Sequence, residues 1–246
     1  MSDIQSRQIE YRAGGTALKG YLAWDGARQG RRPGVLVVHE WWGNSDYVRR
    51  RADMLAELGY AALAVDMYGE GRTADNPGDA GRLMNDLLAD LGVVRQRFDA
   101  AMDVLSADPH TDSARLAAIG YCMGGGIVLH MARHGRDLRA VASFHGSLPL
   151  GIAAPGEGAE MKGRVAVYHG EDDSFIGADT VAAFRQEMRE AGADCLFVTL
   201  PGALHGFTNP LATANGQKFG IPLRHSELAD RCSWDHMRLV LESAFR

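Results

Sequence analysis

Apolar residues occur along the chain in short runs that alternate with longer stretches of helical spacing. The short runs, such as residues 34–39, 60–65 and 116–119, are rich in valine, leucine, isoleucine and alanine. Runs of this length and composition are typical of buried strands, and apolar residues spaced by three or four indicate helices. Strands that are joined by crossover helices form a mostly parallel sheet with helices on both faces. The pattern therefore predicts an α/β fold.

The predicted elements follow one another without an internal repeat. Strands are expected at residues 9–12, 18–24, 34–39, 60–65, 116–119, 140–144, 164–169 and 195–200, and helices at about 45–58, 124–133, 179–191 and 227–245. Glycine and proline interrupt residues 66–97, which predicts a loop or partial lid leading into a helix that ends near residue 106. Residues 149–163 are expected to be irregular. The length favours a single domain over residues 1–246.

Charge and cysteine content narrow the class of protein. A formal net charge of −5 and a pI near 6.0 give no electrostatic reason to expect nucleic acid or an anionic membrane as a partner. The three cysteines, Cys122, Cys195 and Cys232, are widely spaced and form no metal-type pair, which fits free thiols in a reducing compartment. The N-terminal residues are polar, and no apolar run is long enough to span a bilayer. We expect a cytoplasmic protein, monomeric or homodimeric, without metal or cofactor.

One short motif suggests chemistry. Gly120-Tyr121-Cys122-Met123-Gly124 lies between a predicted strand and a predicted helix, and it has the form of a nucleophile elbow with cysteine in the attacking position. A cysteine at a helix N-terminus is favoured as the thiolate by the helix dipole. The amide of Met123 is the first expected oxyanion-hole donor. Cys195 and Cys232 are interpreted as packed or incidental thiols.

Partners for such a nucleophile are expected at the ends of later strands, in the order acid and then histidine. Asp173 opens the turn before a helix and is the expected orienting acid, with Asp172 as the alternative. His205, flanked by small residues on a separate later strand end, is the expected base. Three other histidines also end strands and are the alternatives for this role, namely His39, His145 and His169.

The segment after the third strand supplies the remaining expected site groups. In such folds this loop provides the second oxyanion-hole donor, for which the backbone N–H of Trp41 is expected. Glu40 precedes it and should lie near Cys122. A nearby carboxylate disfavours a thiolate, so Glu40 could keep the thiol protonated or accept its proton. The alternative interpretation is a strand-end glutamate that faces water.

Four motifs together resemble the dienelactone hydrolases, which are cysteine-dependent members of the α/β-hydrolase fold. These motifs are residues 38–43, 120–125, 170–173 and His205-Gly206-Phe207, and the resemblance runs from about residue 34 onward. It implies a carboxymethylenebutenolidase-like hydrolase with Cys122 as nucleophile, completed by Asp173 and His205. It also implies that Glu40 controls the protonation of the thiol. Family members hold a substrate carboxylate with arginines, whereas Asn209 stands near one such position here and Arg82 matches another loosely.

The substrate pocket is predicted more coarsely. Aromatic residues flank the expected catalytic groups and would line an apolar cleft for a small lactone or aryl ester, although some could be core. They are Trp41, Trp42, Tyr121, Phe175 and Phe207. The leading hypothesis is hydrolysis of small carboxylic esters or lactones through a thioester intermediate. Two alternatives stay open: attack on another electrophile such as a phosphotriester, and a non-catalytic binding protein of the same fold.

Overall fold

The computed structural model describes residues 2–150 and 161–246. Most of the segment that was predicted to be irregular, residues 149–163, lies outside the described residues. The chain divides by its internal contacts into two compact units, Met1–Ala118 and Ile119–Arg246. Each unit is described by itself. The expectation of a single domain stays a prediction.

The first unit contains five strands and three helices. Its elements are β1 (Ile4–Ala13), β2 (Thr16–Asp25), β3 (Arg32–Val38), α1 (Asp46–Glu57), β4 (Ala61–Val65), α2 (Pro77–Leu88), α3 (Leu91–Ala107) and most of β5 (Thr111–Tyr121). β1 and β2 form the predicted hairpin, with turn residue Gly14 at a φ of 56°. β3 and β4 pair in parallel, and every residue of β4 is buried. This burial agrees with the unbroken apolar run that predicted the strand.

The second unit begins within β5 and carries the remaining elements among the described residues. They are α4 (Met123–Arg133), β6 (Ala140–Phe144), β7 (Arg164–Gly170), α5 (Ala178–Glu190), β8 (Cys195–Leu200), α6 (Ala212–Phe219) and α7 (Glu227–Ala244). β6 pairs with β7, and β7 with β8, in parallel registers. The carboxyl ends of these strands therefore lead into the loops that contain the expected acid and histidine.

The strands follow the order β1-β2-β4-β3-β5-β6-β7-β8 in an eight-stranded sheet. β1 and β2 run antiparallel to each other, as do β2 and β4. The non-consecutive neighbours require crossovers, which the helices supply. The sheet is mixed, and the prediction that it is mostly parallel is confirmed.

Two helices differ from the prediction. Residues 66–97 were expected to be mainly a loop, but α2 occupies Pro77–Leu88. Pro77 stands in its first turn and the side chain of Asn76 caps the N-terminus, so these residues begin the helix instead of breaking it. α6 was not predicted. It has only eight residues and ends at Gly220, which has a φ of 64°, so its apolar periodicity is too short to stand out.

Among the described residues, no helix has the length and apolar character needed to cross a membrane. Within the same residues, no group of three or more histidine, cysteine, aspartate or glutamate side chains is arranged to hold a metal ion.

Candidate active site

Cys122 lies on a sharp turn between β5 and α4. Its backbone adopts φ 53° and ψ −117°, a conformation that non-glycine residues rarely take. Such a conformation costs about 1–3 kcal/mol and persists only where the surroundings enforce it. Here the Cys122 amide donates to the carbonyl of Phe144 at 3.0 Å, and the Cys122 carbonyl accepts from the amide of Gly126 at 3.2 Å. The side chain is partly exposed and stands at the N-cap position of α4.

The glycines around this turn are required by close backbone packing. A Cβ on Gly120 would lie 2.1 Å from the carbonyl oxygen of Gly124. A Cβ on Gly125 would lie 2.7 Å from the hydroxyl of Ser143 and 2.8 Å from the Cα of Gly146. These distances are shorter than any real contact of a Cβ, so the turn admits no side chain at either position. The flanking glycines therefore fix where the thiol stands.

His205 and Asp173 form a buried pair in the loops after β8 and β7. The Nδ1 atom of His205 lies 2.8 Å from Oδ2 of Asp173, and the two side chains are 10% and 0% exposed. Oδ1 of the same carboxylate accepts a hydrogen bond from the amide of Phe175 at 2.9 Å. Both carboxylate oxygens are thus engaged, and a ring bonded through Nδ1 directs Nε2 away from Asp173.

The thiol and the imidazole interact directly. Cys122 hydrogen-bonds with the ring of His205, so the structure brings together the three side chains expected to form a triad. Burial is the largest influence on the His205 pKa and lowers it. The negative charge of Cys122 and the hydrogen bonds to Asp173 and Cys122 outweigh this effect and raise the pKa from 6.5 to about 10. The surroundings of His205 therefore favour the charged form of its imidazole.

A second buried histidine supports the ring of His205. The imidazole of His145 meets that of His205 edge to face, with centroids 5.1 Å apart. Its Nε2 lies 2.7 Å from Oγ1 of Thr208, in the same loop as His205. His145 was one of the alternatives predicted for the base, because this residue follows a predicted strand. Thr208 was not predicted as a site residue, and no sequence signal identified its link to a residue 63 positions away.

The predicted residues of the first unit occupy the segment after β3. Glu40 is buried, and its carbonyl accepts a hydrogen bond from the amide of Gly43 at 3.2 Å. The carbonyl of Trp41 accepts from the hydroxyl of Tyr68 at 2.9 Å. The ring of Trp41 meets that of Trp42 edge to face, at a centroid distance of 4.9 Å. The segment is thus well anchored within its own unit. Its expected roles toward Cys122 stay predictions.

The family follows from comparison with known proteins. The sequence model of the Dienelactone hydrolase family matches residues 18–244. The chain belongs to this family. "Protein usf" of Aquifex pyrophilus is 31% identical over 211 residues, which cover 82% of this chain and 87% of that protein.

Two solved structures cover 99% of this chain and 99% of their own, each with a TM-score of 0.92. One is a dienelactone hydrolase-like promiscuous phosphotriesterase from metagenomic libraries at 35% identity, and the other is m3DLH at 38% identity. The chain is therefore a dienelactone hydrolase-like hydrolase, and its fold is the α/β-hydrolase fold that the sequence predicted.

Two of the aromatic residues predicted to line the pocket of this dienelactone hydrolase family member are core residues instead. Tyr121 is fully buried and stacks on Phe144 with ring centroids 4.9 Å apart. Phe207 is also fully buried and packs edge to face against His145. Because neither ring presents surface to a ligand, their assignment to the pocket was wrong. Their large apolar area is satisfied inside the second unit.

Phe175 differs from them. Its side chain is 54% exposed, while its ring meets that of His205 edge to face with centroids 5.0 Å apart. An exposed aromatic ring beside the imidazole suits contact with a substrate. Trp42 is mostly buried within the first unit, and its predicted place in the pocket stays a prediction.

Of the two polar residues considered as holders of a substrate carboxylate, Asn209 is uncharged and Arg82 is paired with an aspartate. Oδ1 of Asn209 accepts from the amide of Leu211 at 2.9 Å, just before α6, and the residue is buried. Arg82 is an exposed residue of α2, and its guanidinium pairs with Asp79 at 2.6 Å. Asp79 raises the pKa of Arg82 further. Both therefore have local roles, and their predicted contact with substrate stays a prediction.

Proposed function

We propose that this protein hydrolyses small carboxylic esters or lactones through a Cys122-His205-Asp173 triad. The observation that carries the proposal is the chain of contacts from the thiol to the ring of His205 and from its Nδ1 to Asp173 Oδ2 at 2.8 Å. These contacts of a thiol, an imidazole and a carboxylate support the proposed roles of nucleophile, base and orienting acid in acyl transfer.

In the first half-reaction, the Cys122 thiolate attacks the carbonyl carbon of the ester. A sulfur–carbon bond forms, and the carbonyl π electrons move to the oxygen. Collapse of this tetrahedral species breaks the carbon–oxygen bond, and the leaving alkoxide takes a proton from Nε2 of His205. The products are a thioester and an alcohol, which in a lactone remains part of the same molecule.

In the second half-reaction, His205 accepts a proton from water while the water oxygen attacks the thioester. The new tetrahedral species expels the thiolate and leaves a carboxylic acid, which ionises. The charged imidazole and the thiolate are thereby restored. Asp173 keeps the ring oriented through both steps and stabilises its charged form.

Two expected groups complete the proposal. The backbone N–H groups of Met123 and Trp41 would stabilise the negative oxygen of each tetrahedral species. Met123 is the first residue of α4, at the positive end of the helix dipole, which supports its assignment. The charge of Glu40 would disfavour the thiolate, and Glu40 would in this way control the protonation of the thiol.

Replacement of Cys122 tests the nucleophile. We expect Cys122→Ala to reduce hydrolysis of 4-nitrophenyl acetate by at least about 10³-fold, because the covalent route is lost. Mass spectrometry of the unmodified protein during turnover should show an acetyl group on Cys122. Cys232→Ala, at an exposed thiol of α7, is the matched control and should be fully active. Undiminished activity of Cys122→Ala would exclude the proposed mechanism.

A second activity is supported by one comparison. The structurally similar protein that is 35% identical over 99% of the chain is a promiscuous phosphotriesterase. Attack by a thiolate and stabilisation of a negative oxygen do not require the electrophile to be carbon. We therefore propose phosphotriester hydrolysis as a weaker activity of the same three side chains.

One leaving group allows the two activities to be compared directly. Diethyl 4-nitrophenyl phosphate and 4-nitrophenyl acetate both release 4-nitrophenolate, so a single absorbance measurement follows both reactions. We expect Cys122→Ala to remove both activities together. Phosphotriester turnover that survives this substitution would assign that activity to another site, while the ester mechanism would stand.

A further inference from the structure

A cavity of about 510 Å³ in the second unit lies between α5, β8 and the end of β7. It lies beside the triad acid, since Asp173 is among its lining residues, but neither Cys122 nor His205 lines it. Its volume falls within the range of small-molecule sites, which is about 300–1,000 Å³. From its lining we propose that this cavity binds an organic monocarboxylate through Arg185 and Arg189. The inference is independent of the proposed hydrolysis.

The two arginines are four residues apart on α5 and both line the cavity. Like charges at this spacing destabilise a helix unless an opposite charge lies nearby. Within residues 2–150 and 161–246, neither Arg185 nor Arg189 forms an ion pair. The cavity therefore presents two guanidinium groups that form no ion pair with a described carboxylate.

Two of the three carboxylates closest along the chain pair with other arginines. Glu187, between the two arginines, is held by both Nε and Nη2 of Arg133 at 2.6 and 2.8 Å. Glu190 accepts from the side chain of Gln186 at 2.7 Å. Asp194, just before β8, pairs with Arg164 at 2.8 Å. A bound carboxylate would form the direct ion pair with Arg185 and Arg189 that these groups do not form.

The guanidinium of Arg185 is held by two contacts. Its guanidinium carbon lies 4.4 Å from the ring centroid of Phe197, and Nη2 donates to the hydroxyl of Thr199 at 3.3 Å. A guanidinium held by stacking loses little further side-chain entropy on binding. Its remaining N–H groups match the two oxygens of a carboxylate.

The other residues that line the cavity indicate the size, polarity and charge of the ligand that would fit. An apolar wall is formed by Ile176, just before α5, and by Ala178, Val181 and Ala182 in the first turns of this helix. Glu171 and Asp173 lie at the loop end of the cavity and would repel a second negative charge. Burial lowers the pKa of His169, which also lines the cavity, so this ring adds no positive charge near neutral pH. These features fit one carboxylate on a short apolar body.

Calorimetric titration with benzoate, benzamide and inorganic phosphate tests the proposal. Benzoate should bind, and benzamide should bind at least about tenfold more weakly, because it lacks the charge that strengthens hydrogen bonds to arginine. Arg185→Gln with Arg189→Gln should weaken benzoate binding by at least about tenfold. Arg238→Gln, which removes an exposed arginine of α7, is the matched control and should bind as the parent does.

Three results would overturn the proposal. They are unchanged benzoate binding in the doubly substituted protein, equal binding of benzamide, and binding of phosphate as tight as that of benzoate. If the double substitution prevents folding, Arg189→Gln alone provides the test, because this side chain is exposed and the change removes one charge. It should weaken benzoate binding several-fold, and unchanged binding would count against the site.

Discussion

The nucleophile turn and the histidine loop of the second unit reach their geometry by different means. At the turn, residues 120–125, the backbone itself packs so closely that Gly120 and Gly125 cannot carry a side chain. In the loop around His205, the ring is held by side chains from elsewhere in the chain, namely Asp173, and His145 through Thr208. One region is fixed by excluded volume and the other by hydrogen bonds.

This difference predicts how each region should respond to substitution. Where the backbone is closely packed, a single extra carbon forces it to move, so the whole local geometry is lost. Where several hydrogen bonds hold a side chain, the loss of one removes only its own contribution to stability. That contribution is about 0.5–1.5 kcal/mol, or about 1.5–3 kcal/mol where a charge takes part. Substitutions at the turn should therefore abolish activity, whereas those in the loop should reduce it by degrees.

The largest effect is expected for Gly120→Ala. Its Cβ would lie 2.1 Å from the carbonyl oxygen of Gly124, so the turn must open and the thiol must shift. Esterase activity should fall to the level of Cys122→Ala, and the free energy of unfolding, measured with urea, should decrease by about 3 kcal/mol or more.

Gly81→Ala is the matched control for that change. Gly81 lies inside α2, and an added Cβ there has no atom within 4 Å. This variant should keep full activity and gain up to about 1 kcal/mol of stability, because alanine favours helix more than glycine does. Equal damage from both substitutions would show that the turn has no special constraint.

Asp173→Asn should have the next largest effect. The loss of the negative charge removes one of the influences that raise the His205 pKa, and kcat should fall by about 10² to 10⁴-fold. In the parent protein, activity toward esters with poor leaving groups should decline as pH rises through about 10, because the imidazolium that protonates the alkoxide is lost there. The variant should lose activity at a lower pH. A pH profile with the same alkaline limb in both proteins would contradict this role of Asp173.

Thr208→Val should have a smaller effect, because it leaves the triad intact. The substitution keeps the shape of the side chain but removes the hydrogen bond to Nε2 of His145, in a fully buried place. We expect about 1–3 kcal/mol of lost stability and a decrease of several-fold in kcat. Thr208→Ser retains the hydroxyl and should restore much of the activity. Equal rates for the valine and serine variants would show that the bond does not position His205.

The smallest effect is expected for Phe175→Ala. This ring is largely exposed, so the free energy of unfolding should change by less than about 0.5 kcal/mol. If Phe175 contacts aryl substrates, KM for phenyl acetate should rise several-fold while KM for ethyl acetate changes little. An equal change for both esters would show that the ring does not distinguish aromatic substrates.

The steric features of the site could be predicted from the sequence. The spacing of Gly120, Cys122 and Gly124 between a strand and a helix predicts a tight turn, because the backbone geometry of such a turn depends on residues that are close in sequence. The chain order of Asp173 and His205 reports topology, because both follow parallel strands of the second unit. The bounds of β6 and β8 also agree with the predicted runs.

Features that depend on contacts distant in sequence could not be predicted. Tyr121 and Phe207 lie close in the chain to the proposed catalytic residues, yet both rings are fully buried, and sequence proximity does not distinguish a core residue from a pocket residue. The link from Thr208 to His145 joins two loops, and neither residue carries a motif. α2 was missed because Pro77, Gly78 and Gly81 are breakers in general, but Pro77 occupies the first turn, where proline is tolerated.

In the proposed mechanism, the two hydrogen bonds accepted by Asp173 would link substrate choice to proton transfer. One oxygen lies 2.8 Å from Nδ1 of His205, and the other accepts from the backbone amide of Phe175, whose ring is exposed. An insertion or deletion in this loop would therefore change the orientation of the His205 imidazole and the position of the Phe175 ring together. New specificities on this scaffold should arise by exchanging the side chain at position 175, with the loop length preserved.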